Sequence, residues 1–227
     1  AAGSRLPVLA WQEQPDDFGG LQLATTAVPF EGGFRVSGEK SFVVGAAAAD
    51  GFMVSALAGG ELQLLWIPRD AAGCSIAAQP LADGRTYGHL ALRDVVVPRE
   101  NRLASGAAAR AALDRALDHA ATVTAAELAG VMKRAQEMSL DYMRTRVQFG
   151  KPIGSFQALQ HRAVDLHIQQ ELADAVLREV IAELDDDPDP AARARAASRA
   201  KSRCAEAALA ITRAAIQFHG AIGFTED

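Results

Sequence analysis

Short apolar runs alternate with glycine, proline and aspartate over the first hundred residues. The runs are LPVLAW, GFRVSG, SFVV, GFMVSA, LQLLWIP and HLALRDVVV. Apolar runs of this length between turn-forming residues are typical of β-strands. The pattern predicts a small antiparallel β-barrel or sandwich over residues 1–100.

The pattern changes after Pro98, where Ala, Leu, Glu and Arg dominate and apolar residues recur at helical spacing. Three long helices are predicted over residues 101–227, which makes the fold class α+β with an up-and-down helical bundle. The first helix is expected to run from a cap at Ser105 to about Phe149, where a Gly-Lys-Pro sequence ends it. The second starts at Ser155.

The third helix has the clearest start signal. Asp189 followed by Pro190 suits an N-cap and a first-turn residue, and the apolar pattern continues to about His219. Three long helices are few for a closed bundle. We therefore expect another domain, another subunit, or both, to complete the packing.

Composition narrows the class of protein. The 227 residues are 49% hydrophobic and 22% charged, as in ordinary globular proteins, and the formal net charge of −5 argues against a nucleic-acid partner. Two cysteines, Cys74 and Cys204, argue against a disulfide framework and fit a reducing cytoplasm. No leader pattern or apolar run long enough to span a membrane is seen, and the histidines do not cluster as metal ligands do.

The segment RVQFGKPIGSFQALQH carries the most suggestive chemistry. The guanidinium of Arg146 suits a pyrophosphate, because its planar fork can donate two charge-assisted hydrogen bonds, and the ring of Phe149 can stack on a purine. The alternative interpretation is a solvated arginine and a core phenylalanine between two helices. Chemistry alone favours the alternative, since a short motif without context is a weak signal.

Four segments resemble one family when they are taken together and in order. RVQFGKPIGSFQALQH is similar to the RxxFG…FQ hairpin of the acyl-CoA dehydrogenase superfamily, and AIQFHGAIGFTED resembles its QxxGGxGF segment. GFRVSGEKSFVV and LRDVVVPRENRL resemble a hairpin and a VxVP segment of its middle β-domain. The sequence from Gly150 onward, GKPIGSFQALQHRAVDL, is most similar to that of bacterial members such as the small subunits of pimeloyl-CoA dehydrogenase-like enzymes.

The resemblance implies FAD as the cofactor, held where subunits meet in a homo- or hetero-oligomer. Arg146 would bind the pyrophosphate and Phe149 the adenosine half, with Gln157 nearby. A partner subunit would hold the same FAD through the segment after the third helix. The residues implied there are Gln217, Gly220 and Ala221, the last in place of the family's second glycine.

The resemblance also places the flavin ring against the β-domain. Trp11 and Gln12 would contact the ring, as would Phe42 and Val44 from the strand beside it. Gln12 stands where the family has threonine. Trp11 can equally be a core or rim aromatic residue.

The implied reaction is the α,β-desaturation of an acyl-CoA thioester, in which a carboxylate takes the α-proton. Phe18, which replaces a family serine, and Asp118 would meet the substrate. The alternative base position of the family falls on Ala120, and the usual glutamate position lies beyond Asp227. No catalytic residue is assigned. Three other glutamates near the motifs are more typical of helix-surface or capping residues: Glu13, Glu127 and Glu226.

Three functions fit these observations. The first is an acyl-CoA dehydrogenase subunit acting on an acyl or steroid-side-chain thioester, with an electron-transfer flavoprotein as a candidate acceptor. The second is a catalytically silent subunit that completes the FAD site of a hetero-oligomer. The third is a related flavin oxidase. In each case the resemblance implies an N-terminal helical domain before residue 1 and further helices after Asp227.

Overall fold

The computed structural model describes residues 5–15, 22–186 and 189–225. Contacts within the chain divide it into two compact units, residues 1–112 and 113–227. The first unit is built on a β-sheet and the second on long helices.

All six apolar runs coincide with strands, although Leu6 and Trp11 lie just outside β1, and strands with weaker patterns join them. The strands of the first unit are β1 (Pro7–Ala10), β2 (Thr26–Phe30), β3 (Gly33–Val44), β4 (Gly51–Ala58), β5 (Glu61–Pro68), β6 (Cys74–Pro80), β7 (Thr86–Pro98) and β8 (Arg102–Ser105). The runs did not reveal β6, because most of its side chains are exposed and no apolar run marks it.

The sheet is mixed, which corrects the expectation of an antiparallel barrel or sandwich. The order is β6-β7-β3-β2-β4-β5-β8, with β1 beside β4. β1 pairs with β4 in parallel, as does β2 through Thr26 and Leu57. Among the described strands, β6 and β8 end the order, and no pairing closes the sheet into a barrel. The parallel pairs join segments distant in sequence, so local spacing could not predict them.

One face of the sheet carries a continuous apolar core. Strand residues alternate between the two faces of a sheet, so every second position can point inward. The buried members from the central strands include Phe34, Val36, Val43, Phe52, Val54, Leu65, Ile67, Leu90, Leu92, Val95 and Val97.

One charged residue lies in this core. The Lys40 side chain is 0% exposed, and its ammonium donates to Glu13 Oε1 at 2.6 Å. It also donates to Ser55 Oγ at 3.0 Å and to the Trp11 carbonyl at 3.4 Å. A buried ion survives only when it is paired and hydrogen-bonded, and these contacts meet that requirement.

Glu13 is equally well held. The Ala24 amide donates to one of its oxygens at 2.6 Å, and the Thr25 amide and hydroxyl donate to the other at 3.2 and 2.7 Å. Gly38 makes this approach possible, since a Cβ there would lie 2.6 Å from the Thr25 Cα. Burial by itself raises the pKa of Glu13, but the hydrogen bonds from Lys40, Thr25 and Ala24 outweigh it, so the pKa is lowered overall.

The helical unit contains α1 (Gly106–Thr145), α2 (Gln157–Asp185) and α3 (Pro190–His219), with a short hairpin of β9 (Val147–Gln148) and β10 (Lys151–Pro152) between α1 and α2. The first helix therefore stops before Phe149. The second starts after Ser155, whose hydroxyl donates to the Pro152 carbonyl instead of capping the helix.

The predicted start of α3 is confirmed. Asp189 accepts hydrogen bonds from the amides of Ala191 and Ala192 at 2.9 and 3.1 Å, and Pro190 occupies the first turn. The predicted end at His219 is confirmed as well.

Eight of the ten buried residues of α3 follow a spacing of four and three residues. The residues with this spacing are Arg193, Ala197, Ala200, Cys204, Ala207, Ile211, Ala214 and Phe218, and the buried Ala196 and Ala208 widen the same face. This heptad-like spacing is the seam of a helix that packs nearly parallel or antiparallel to its neighbours, and small side chains let the helices approach closely. The charged member of the seam, Arg193, is paired with Asp118 of α1 at 2.9 Å.

The Lys40–Glu13 pair gives a stability prediction. Glu13→Gln leaves the buried ammonium without its carboxylate, so the free energy of unfolding should fall by about 3–5 kcal/mol. Because the folded pKa of Glu13 is lowered, its contribution is complete above the unfolded value of about 4.3 and is lost as pH falls through the folded pKa. The gap between wild type and variant in urea midpoint should therefore narrow below that pH.

The exposed Arg35–Asp94 pair, at 3.1 Å, supplies the matched control. Asp94 has φ +53, a conformation that asparagine also tolerates. Asp94→Asn should cost at most about 1 kcal/mol. Equal losses in the two variants would contradict a special role for the buried pair.

Candidate functional site

The hairpin after α1 has an unusual turn. Gln148 pairs with Lys151, so Phe149 and Gly150 form a two-residue loop. Their φ values are +53 and +76, as a type I′ turn requires at both positions. Asn-Gly is the favoured sequence there, and a phenylalanine in the left-handed region costs about 1–2 kcal/mol.

The strained Phe149 side chain is 92% exposed. Its ring lies edge-to-face with the ring of Phe156, with the two centroids 6.1 Å apart. The Lys151 ammonium lies over the Phe156 ring, 4.3 Å from its centroid. The core interpretation of Phe149 is therefore wrong. The hairpin presents an aromatic ring to its surroundings at a conformational cost, which is typical of a binding residue.

Arg146 precedes this hairpin and has a fixed backbone. Its amide donates to the Tyr142 carbonyl and its own carbonyl accepts from the Ile153 amide, both at 2.8 Å. Its side chain is exposed, and among the described residues it forms no ion pair or side-chain hydrogen bond. The guanidinium is available to an anion.

The end of α3 forms a second exposed element. Gly220 ends the helix with φ +63 and ψ −136, a backbone conformation suited to glycine, and its amide donates to the carbonyls of Ile216 and Gln217. Ala221 lies in the 3-10 turn Gly220–Phe224 and does not have a positive φ. Alanine in place of the second family glycine therefore causes no backbone strain. The Gln217 side chain is exposed.

The hairpin and the end of α3 lie at the same end of the helical unit. Tyr142 stacks on His219 with ring centroids 4.5 Å apart and an interplanar angle of 28°. Met143, the residue after Tyr142, packs in one apolar cluster with Ala214 and Phe218, and residues of the segment after the hairpin and of α2 join them. Gln157 is exposed at the first position of α2. Sequence reasoning missed the stack, because Tyr142 belongs to no recognised motif and His219 occupies an unspecified position of its motif.

In the first unit, the structure brings Trp11 and Gln12 beside β3. The Ser41 amide donates to the Gln12 carbonyl at 2.8 Å. Phe42 follows at a bulge with φ +56, and its ring meets that of Tyr87 edge-on at 6.3 Å. Val44, at the end of the same strand, is exposed. These residues form a partly exposed surface at one end of β3.

The residues expected to contact the substrate, and the glutamates near the motifs, differ in their surroundings. The Asp118 carboxylate is mostly buried and engaged by Arg193, so it serves the packing of α1 against α3. Phe18 and Glu226 lie outside the described residues. Glu13 is held as the partner of Lys40 with a lowered pKa, which suits a structural anion and not a proton acceptor. Glu127 lies on an exposed position of α1.

Other chemistry is not prominent in the part of the chain that the structure describes. Burial raises the pKa of both Cys74 and Cys204, which disfavours their thiolate forms. The described residues contain no cluster of metal-ligating side chains. None of the described helices has the length and apolar character needed to cross a membrane.

Comparison with known proteins agrees with the sequence resemblance. The pattern that defines the family "Acyl-CoA dehydrogenase, C-terminal domain" matches residues 104–227. Acyl-CoA dehydrogenase IpdE2 of Mycolicibacterium smegmatis is 40% identical over 108 residues, which is 48% of this chain and 32% of that protein.

Two solved structures are similar to this chain over nearly all of its length. The "Tcur3481-Tcur3483 steroid ACAD G363A variant" is 32% identical, with a TM-score of 0.81, over 98% of this chain and 58% of that one. "PigA with FAD and proline" is 25% identical, with a TM-score of 0.88, over 98% of this chain and 59% of that one. The chain thus spans less than two thirds of the length of the relatives it matches. With more than half of its residues matched by the family pattern, the chain belongs to the acyl-CoA dehydrogenase family.

Proposed function

We propose that this chain is an FAD-binding subunit of an acyl-CoA dehydrogenase that desaturates an acyl-CoA thioester between its α and β carbons. The observation that carries the proposal is the hairpin of the helical unit, where Arg146 offers an exposed guanidinium that no described residue pairs with and Phe149 an exposed ring held in a strained turn. These two groups suit the pyrophosphate and the adenine of a dinucleotide. The similarity to PigA, solved with FAD, supports the same cofactor.

The residues fit FAD in more than one place. Arg146 would neutralise the pyrophosphate, and Gln217 and the open backbone at Gly220 would hydrogen-bond near it. The stretch from Trp11 to Gln12, with Phe42 and Val44, would contact the flavin ring. When bound, FAD supplies the electron sink that receives the substrate β-hydrogen as hydride.

In this proposal one chain contributes both the hairpin and the end of α3 to the adenosine-pyrophosphate end of the FAD. The resemblance placed Gln217, Gly220 and Ala221 on a partner of the subunit that carries Arg146. The Tyr142–His219 stack instead supports one surface, since it holds the ends of α1 and α3 together in a single chain. The ring of that FAD is then free to lie on the β-unit of another subunit, in a homo- or hetero-oligomer.

A specific observation favours the second candidate, a silent subunit in a hetero-oligomer. Ala120 supplies no carboxylate at the alternative base position, and Glu13 is committed to Lys40. The steroid relative named after two proteins supports an assembly of unlike chains. In that case this chain would hold the cofactor and a partner would supply the base.

An anaerobic titration separates the candidates. The full-length protein, purified alone and with co-expressed partners, is mixed with acyl-CoA and steroid-side-chain thioesters while the visible flavin band is recorded. Bleaching by the protein alone supports the dehydrogenase, and bleaching only with a partner supports the silent subunit. Rapid reoxidation by oxygen would indicate an oxidase. A preparation with no flavin under either condition would contradict the proposal.

Arg146→Ala should weaken FAD binding on the order of 10- to 100-fold, because charge-assisted hydrogen bonds to the pyrophosphate are each worth about 1.5–3 kcal/mol. Arg144→Ala is the matched control, since Arg144 lies two residues earlier, is also exposed, and pairs with Asp141 at 3.0 Å. Equilibrium dialysis of FAD against the apoprotein measures both. Equal affinities in the two variants would remove Arg146 from the site.

Phe149→Asn should stabilise the apoprotein and weaken FAD binding at the same time. Asparagine relieves the left-handed strain and creates the favoured Asn-Gly turn, so the thermal midpoint should rise by roughly 2–4 °C per kcal/mol relieved. Phe149→Leu keeps the strain but loses the aromatic ring, so it should weaken FAD binding without raising the midpoint. Unchanged affinity in both variants would show that the ring does not touch the cofactor.

A further inference from the structure

The Lys40 cluster consists of Lys40, Glu13 and Ser55. It joins the Trp11–Gln12 stretch to the part of β3 that contains Phe42, and the proposed function places both at the flavin ring. Lys40 lies in β3 two residues before Phe42, and its ammonium donates to the Trp11 carbonyl at 3.4 Å. The neighbouring residue repeats the link, since the Ser41 amide donates to the Gln12 carbonyl at 2.8 Å. Two consecutive residues of β3 thus hold two consecutive carbonyls of the other stretch.

The cluster also holds the Trp11–Gln12 stretch from other elements of the sheet unit. Ser55 of β4 accepts a hydrogen bond from Lys40 at 3.0 Å and donates to the same Trp11 carbonyl at 3.3 Å. Glu13 accepts from Lys40 and from the backbone at residues 24 and 25. The stretch is therefore held from β3, from β4 and from the segment before β2.

Stability alone does not require an ion pair in this core. Replacing a buried ion pair by packed uncharged groups is often neutral or stabilising, so packing alone does not explain why a charged pair lies here. What the charges add is direction: the ammonium holds a carbonyl at a fixed place, and the carboxylate fixes the ammonium. The bulge between Lys40 and Val43 turns the following residues out of register at this point.

We propose that Lys40 and Glu13 are positioning residues that set the Trp11–Gln12 stretch against Phe42 and so determine how the flavin ring is seated. The inference rests on the proposed function, because the two stretches were assigned to the ring there. Neither residue touches the cofactor in this proposal. Each acts through the backbone that it holds.

The test separates positioning from stability. In the double variant Lys40→Met/Glu13→Gln no unpaired buried charge remains, and the new side chains are close in volume to the old ones. The thermal midpoint should return towards that of wild type, while Glu13→Gln alone stays destabilised. The double variant should still bind FAD with an affinity within about twofold of that of wild type, because in this proposal the helical unit holds the adenosine-pyrophosphate end of the cofactor.

The seating of the ring should nevertheless change. We expect the double variant to show an altered vibronic shape of the visible flavin band and a shifted flavin reduction potential. The rate of anaerobic bleaching by a thioester that the wild type uses should fall on the order of 10- to 100-fold, the effect of a displacement of about 1 Å at a reacting centre. Arg35→Met/Asp94→Asn, which removes an exposed ion pair of the same sheet, should leave all three readouts unchanged.

The possible results are distinguishable. A stable double variant with wild-type spectrum, potential and bleaching rate would overturn the positioning role while leaving the proposed function intact. Absence of FAD from the wild type would instead overturn the proposed function. If the double variant fails to fold, Ser55→Ala, which removes one hydrogen bond to Trp11 and one partner of Lys40, should shift the same spectrum and potential by a smaller amount, and no shift would count against the proposal.

Discussion

A lysine ammonium inside a sheet core is tolerated only when its protons have acceptors, and the first unit is organised around the way Lys40 meets that condition. Its acceptors come from the chain after β1, from β4 and from Glu13, which the segment before β2 fixes in turn. Removing the charge requirement would leave the stretch at Trp11 with fewer reasons to lie where it does. The hydrogen-bonding requirement of the buried Lys40 ammonium thus fixes the position of a backbone stretch that is partly exposed.

The helical unit reaches a comparable result through packing. Small residues on the α3 seam bring the helices close, and the apolar cluster of Met143, Ala214 and Phe218 joins the ends of α1 and α3. The hairpin that follows α1 is then held firmly enough to keep Phe149 in a conformation that phenylalanine normally avoids. Strain that the surrounding structure maintains at an exposed residue is consistent with a binding role.

The corrections concern features that depend on distant partners. Apolar runs marked most strands of the first unit, but the parallel pairing of β1 and β2 with β4 joins segments whose spacing carries no local signal. The start of α3 was predicted because its cap lies within three residues of the chain. The end of α1 was not, because a hairpin replaced the last turn, and its left-handed phenylalanine has no sequence signature.

The sequence by itself determined the family, the order of a sheet followed by long helices, and the chemical candidates Arg146 and Phe149, because each rests on local pattern or motif. Only the tertiary structure decided which candidate side chains are exposed and which are engaged by other residues. It showed that Phe149 is exposed, that Asp118 is engaged by Arg193, and that Glu13 is an ion-pair partner and no free base. The physical reason is that the availability of a charge or a ring depends on its neighbours in space, which a linear sequence does not specify.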